Sequence, residues 1–130
     1  DYAHHPTEIK ATLEIAKHIV KNKIIVVFQP HRYSRTEYLY KEFINILKKI
    51  DFLFITDIYP AGEKPLKGIN SSKLVKDILK NGAKNVFYLK NLNKINSILS
   101  PFYENENLII FMGAGSISKL ANDLVGKISV

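Results

Sequence analysis

The chain has 130 residues, a formal net charge of +7 at pH 7 and no cysteine. That length accommodates one domain with its own hydrophobic core. The lack of thiols excludes disulfides and cysteine-ligated metals and points to a reducing, cytoplasmic setting, while no apolar run approaches the length of a membrane span and no signal-peptide pattern opens the chain.

The elements follow from the apolar pattern. Pro6 and Thr7 begin a helix whose Ile9, Leu13, Ala16 and Val20 repeat every 3.6 residues or so. Ile24 to Phe28 is a continuous β-branched and aromatic run, the mark of a strand buried on both faces. A second helix carries Leu39, Phe43, Leu47 and Ile50 on one stripe, and Phe52 to Thr56 is a second strand that opens into the turn-rich DIYPAGEKPLKG. Leu74, Ile78 and Leu79 mark a third helix, with Gly82 as its C-terminal stop. Val86 to Leu89 is a third strand, Leu92 to Leu99 a weaker helix closed by Pro101, and Leu108 to Met112 a fourth strand running into GAGSIS. Ile117, Leu120, Ala121 and Leu124 predict a last helix.

Helices alternating with short, wholly apolar strands predict an α/β domain: a Rossmann-like, mainly parallel sheet with helices on both faces. Right-handed crossovers leave few topologies, and the common four-strand order is 3-2-1-4. In that order the first and fourth strands are neighbours at the switch point, where ligands bind beyond the carboxyl ends. QPHRYSRT and GAGSIS leave these two strands. The start of the first helix, DYAHHPTE, and the loop DIYPAGE fall on the same edge. Three of the four histidines and both arginines therefore share one predicted rim, which we read as the site.

Arg32 and Arg35 are the only arginines in a chain whose positive charge is otherwise lysine. A guanidinium grips a carboxylate or phosphate through two parallel hydrogen bonds, which an ammonium cannot do, so HRYSR predicts an anionic ligand. If the helix has begun by Arg32, the two side chains share a face. His4 and His5 are adjacent, so their side chains point apart and do not ligate one metal together. Pro6, Thr7 and Glu8 are accounted for by a helix start, whereas Asp1, Tyr2 and His4 are free to reach a ligand above it. GAGSIS suits an anion or simply a close strand-to-helix turn. Asp57 and Glu63 are either charged contacts or parts of an exposed loop. His18, inside the first helix, is read as structural. The lysines, at positions such as Lys10, Lys41 and Lys76, are scattered over helices without interleaved aromatic side chains, so nucleic-acid binding is not expected.

In this order and spacing, DYAHHPTEI, FQPHRYSRT, DIYPAGE and GAGSI resemble the C-terminal domain of the Mur ligases, which build the peptide stem of bacterial peptidoglycan. HRYSR resembles the alanine-adding branch rather than the murein-peptide ligases, which share the His-His-Pro stretch but lack HRYSR. The resemblance covers essentially the whole chain. It implies one domain, residues 1–130, of a three-domain enzyme, the others being a UDP-sugar domain and a central ATPase domain. With ATP and Mg²⁺, held mainly by the central domain, such an enzyme converts the carboxylate of UDP-N-acetylmuramate to an acyl phosphate, which the amine of L-alanine attacks. By the same resemblance Asp1 contacts the ATP ribose. Tyr2, His4, His31, Arg32 and Arg35 line the L-alanine pocket, with the arginines on its carboxylate. No catalytic residue and no metal ligand is implied here. Ser116 stands where many members carry an acidic residue, and Ala3 and Ser34 are minor variants. No GxxxxGK[ST] loop occurs in the chain, so the expectation is a fragment, inactive alone. The alternative is a free-standing Rossmann-like nucleotide-binding module.

Overall fold

The computed structural model describes residues 4–113 and Ile117. Its elements in chain order are α1 (Pro6–Ile19), β1 (Ile24–Phe28), α2 (Tyr33–Tyr38), α3 (Tyr40–Leu47), β2 (Phe52–Thr56), α4 (Ser71–Lys80), β3 (Val86–Leu89), α5 (Ile95–Leu99) and β4 (Leu108–Met112). Short 3₁₀ turns, Leu92–Lys94 and Ser100–Phe102, flank α5. The four strands form one parallel sheet in the order β3-β2-β1-β4. Val26 lies opposite Leu53 on one side and Ile110 on the other.

Every residue of β1 is buried, as a central parallel strand covered on both faces requires. Alternate side chains supply two cores. Val26, Phe28, Leu53 and Ile55 face one layer made by α1, α3 and α4. Ile25, Val27 and Phe54 face Ile95 and Leu99 of α5, together with Ile117. Leu47, Leu74 and Ile78 are fully buried, each contributing about 1.5–3 kcal/mol of transfer free energy. These packed layers fix the strand ends, and the strand ends carry the loops of the site.

Three helical expectations are corrected. The second helix is two helices, broken at Leu39, where φ is −106° and ψ 22°. The apolar stripe runs through the break because the hydrogen bonds Leu39 N–H to Arg35 O and Phe43 N–H to Leu39 O persist on either side. Leu79 is exposed, and Val75 is buried in its place. Leu74, Val75 and Ile78 already fill the inward stripe of α4, which leaves position 79 about 100° away. The weaker helix shrinks to α5, and Pro101 lies inside the 3₁₀ turn after it rather than closing the helix. Gly82 does follow α4, at φ 104°, behind the C-cap Asn81. Among the described residues no helix is long and apolar enough to cross a membrane. Of the predicted last helix only Ile117 is described, and Leu120, Ala121 and Leu124 lie outside the described residues.

Candidate functional site

The site forms where β1 and β2 run out. Parallel pairing continues past the strands as a single bridge between His31 and Tyr59. Tyr59 N–H donates to Pro30 O and Arg32 N–H to Tyr59 O, each at 2.8 Å. The backbone of QPHR is thereby tied to that of DIYP, and the tyrosine ring stacks on the histidine, with centroids 5.4 Å apart and planes within 16°. The ring of His4 also lies 5.9 Å from that of His31. The start of α1, the end of β1 and the loop after β2 therefore meet on one rim, as the predicted topology requires.

His4 and His5 do point apart. His5 is the N-cap of α1: its Nδ1 accepts from Thr7 N–H at 3.1 Å, and its own N–H donates to Glu8 Oε1 at 3.1 Å. This reciprocal cap is a histidine variant of the Ser/Thr box. His4 instead faces His31, with Nδ1 3.9 Å from Glu8 Oε1.

Arg32 is the N-cap of α2, at φ 75° and ψ 138°, a left-handed region that non-glycine residues seldom occupy. Its carbonyl accepts from Thr36 Oγ1 at 2.8 Å. Its side chain is exposed. Arg35, one turn on, is partly buried, and its Nη1 lies 3.1 Å from both His31 Nδ1 and His31 O. Both arginines line one open groove with His5, Ser34, Tyr38 and Leu39, so they do share a face. Burial holds the His31 pKa below its ordinary value of 6.5; the positive charges of Arg35, His4 and Arg32 act in the same direction, and Glu63 acts against them.

The acidic groups of DIYPAGE bond within the protein. Asp57 accepts from the Tyr88 hydroxyl, and burial together with that bond pushes the tyrosine pKa up to about 12, the bond being the larger cause. Glu63 accepts from the amide and hydroxyl of Ser34. Beside the pair, Gly113 follows β4 against Gln29, whose buried Oε1 accepts from Ile117 N–H at 3.3 Å. At φ 154°, a Cβ on Gly113 would lie 2.6 Å from Ile117 Cγ2, so the close-turn reading of this glycine holds. Asp1 and Tyr2, expected at the ATP ribose and the amino acid, lie outside the described residues, as do Ala3 and residues 114–116, with Ser116 among them.

Tyr59 and Glu63 join the site without having been singled out for these roles. The available signal was their place in a loop predicted to open on the same edge. A more enclosed cleft of about 280 Å³ lies at the opposite, amino edge of the sheet, where Ile24 and Asp51 line it. It holds none of the residues gathered above. Among the described residues, no group of three or more histidine or acidic side chains is placed to hold a metal ion.

The family described as "Mur ligase, glutamate ligase domain" matches residues 1–115. The UDP-N-acetylmuramate–L-alanine ligase of Geotalea uraniireducens is 44% identical over 128 residues, which are 98% of this chain and 28% of that protein. The enzyme of the same name from Rickettsia felis is 45% identical over 133 residues, covering 99% of this chain and 28% of its own length. Among solved structures, the UDP-N-acetylmuramate-alanine ligase of Thermotoga maritima superposes with a TM-score of 0.71 at 28% identity, over 99% of this chain and 26% of that one. The chain thus spans little more than a quarter of the length of these relatives.

Proposed function

The chain belongs to the Mur ligase family, and from that premise we propose that it is the amino-acid-binding domain of an ATP-dependent ligase joining L-alanine to UDP-N-acetylmuramate in peptidoglycan synthesis. The observation that carries this reading is the arginine pair: Arg32 and Arg35 line one open groove on the rim beyond β1, and Arg35 is anchored on His31. A free amino acid offers a carboxylate to such a pair, and a small side chain leaves little else to recognise.

Arg32 and Arg35 take the carboxylate by charge-assisted hydrogen bonds. His4 and His31 stand beside them, with Tyr2 completing the pocket and Asp1 reaching the ATP ribose. The positive field that disfavours protonation of His31 also disfavours an ammonium, and so favours the free amine that must act as nucleophile. ATP, Mg²⁺ and the sugar nucleotide are assigned mainly to the other domains of the full protein. The groove is open here, and closure of the central ATPase domain over it would exclude water from the reaction. The setting of such an enzyme is cytoplasmic.

The experiment uses the full-length protein carrying this domain, supplied with ATP, Mg²⁺ and UDP-N-acetylmuramate. Phosphate release that depends on L-alanine, in preference to D-alanine, glycine or L-glutamate, is the expected result. Release driven equally by other amino acids, or by none, overturns the proposal.

A further inference from the structure

Arg32 occupies a position that a helix normally fills with Ser, Thr, Asp or Asn, whose side chain turns back to bond the first free amides. An arginine has no acceptor and cannot do so, and Arg32 makes no side-chain capping bond. The amides at the start of α2 nevertheless have a partner. Glu63, 29 residues further along the chain from Ser34, accepts from Ser34 N–H at 3.1 Å through Oε1 and from the Ser34 hydroxyl through Oε2. The Tyr33 amide adds to the electrostatic stabilisation of this carboxylate.

We infer that Glu63 is the positioning residue for Arg32: it caps α2 from a neighbouring loop, so that the cap position itself can carry a ligand-binding arginine. The loop is built for this. Ala61 and Gly62 take positive φ values of 50° and 88° in succession, and the turn closes with Glu63 N–H to Pro60 O at 3.0 Å. One residue before Pro60, Tyr59 O holds the Arg32 amide. Arg32 is thus fixed at its own N–H by Tyr59, at its carbonyl by Thr36, and two residues on, at Ser34, by Glu63. These contacts hold its backbone at φ 75° against the local preference. The Ser34 hydroxyl and then its amide, opposed by burial and assisted by the Tyr33 amide and Arg32, keep the Glu63 carboxyl below its ordinary range, which favours the ionised form that accepts these bonds.

The inference rests on the proposed pocket, and its test separates the two. In the full-length ligase, Glu63→Ala should raise the KM for L-alanine about five- to tenfold, the loss expected when an N-cap is removed. kcat and the KM values for ATP and UDP-N-acetylmuramate should stay within about twofold. Glu63→Gln keeps a carbonyl acceptor for the Ser34 amide and should recover part of the loss. Hydrogen exchange at the Ser34 amide should quicken in the alanine variant. An unchanged alanine KM, or an equal rise in all three KM values, overturns the role. If Glu63→Ala does not fold, Glu63→Gln is read by the same comparison. If Arg32→Lys and Arg35→Lys leave the alanine KM untouched, the pocket assignment fails instead, and Ser34 exchange still shows whether Glu63 caps α2.

Discussion

Arg35 reaches back one helical turn to hold His31, its Nη1 3.1 Å from the ring Nδ1 and 3.1 Å from the carbonyl oxygen of the same residue. An arginine nitrogen only donates, so Nδ1 must present its lone pair. The ring is then neutral with its proton on Nε2, and a proton added at Nδ1 would face a guanidinium. With Nδ1 turned to Arg35 and Tyr59 stacked on the ring, Nε2–H is the group His31 has left to offer a ligand. His31 in this arrangement is a hydrogen-bond donor held in place by an arginine.

The first prediction is a titration. By NMR, His31 should titrate below 6.5, because burial and the charges of Arg35, His4 and Arg32 outweigh Glu63. Replacing Arg35 with Met should raise the midpoint without restoring it fully, since burial, the larger cause, remains. The linkage has a definite sign. The unfolded chain protonates His31 at a higher pH than the folded chain, so this contribution to stability is complete above about 6.5 and is lost as pH falls toward the folded midpoint. A wild-type midpoint at or above 6.5 contradicts the arrangement.

The glycine after β4 supplies a second prediction. Gly113→Ala would place a methyl 2.6 Å from Ile117 Cγ2 and 3.1 Å from Gln29 Cβ and O, at a φ of 154°. Crowding plus backbone strain should destabilise the domain by about 1–3 kcal/mol, measured as a lowered denaturation midpoint at constant slope. A variant as stable as wild type would show that Ile117 and Gln29 separate at little cost.

How much of this was legible beforehand depends on the range of the interaction. All four strands lie where their apolar runs predict them, and their order is the common one among the few that right-handed crossovers leave. Each run is dense enough that no competing pattern exists, and β1 is buried along its whole length. The arginine pair was legible as well, by composition alone. The break at Leu39 was not, because the stripe Leu39, Phe43, Leu47 keeps helical period across it. The stack of Tyr59 on His31 and the cap from Glu63 to Ser34 join loops about 28 residues apart. No periodicity encodes such contacts; they arise once parallel pairing has laid the loops side by side.

A polypeptide of residues 1–130 alone should fold, because two buried clusters flank its sheet, yet it should neither hydrolyse ATP nor ligate alanine. Phosphoryl transfer needs a phosphate cradle and a held divalent cation. The chain has no GxxxxGK[ST] loop, and no three-ligand cluster occurs among the described residues. A cooperative denaturation curve together with absent phosphate release is the expected pair of results. Release above background that depends on UDP-N-acetylmuramate would refute it.

The two arginines should respond differently to lysine in the full-length ligase. Lysine keeps the charge but loses the two-pronged geometry, so either variant should lower kcat/KM for L-alanine by about ten- to a hundredfold, the cost of a charge-assisted hydrogen bond at roughly 1.5–3 kcal/mol. Parameters for ATP, and for UDP-N-acetylmuramate at saturating alanine, should change little. Arg32 makes no side-chain hydrogen bond to a described residue, so Arg32→Lys should act on alanine alone. Arg35 also orients His31, and a lysine there loses the fork that serves ring and carbonyl together. Arg35→Lys should therefore carry the larger defect and shift the His31 midpoint, whereas Arg32→Lys should leave that midpoint almost unmoved. Steady-state kinetics with each substrate varied in turn, alongside the His31 titration of both variants, decide the matter. Equal defects with an unmoved His31 would mean that the Arg35–His31 contact plays no part in holding the amino acid.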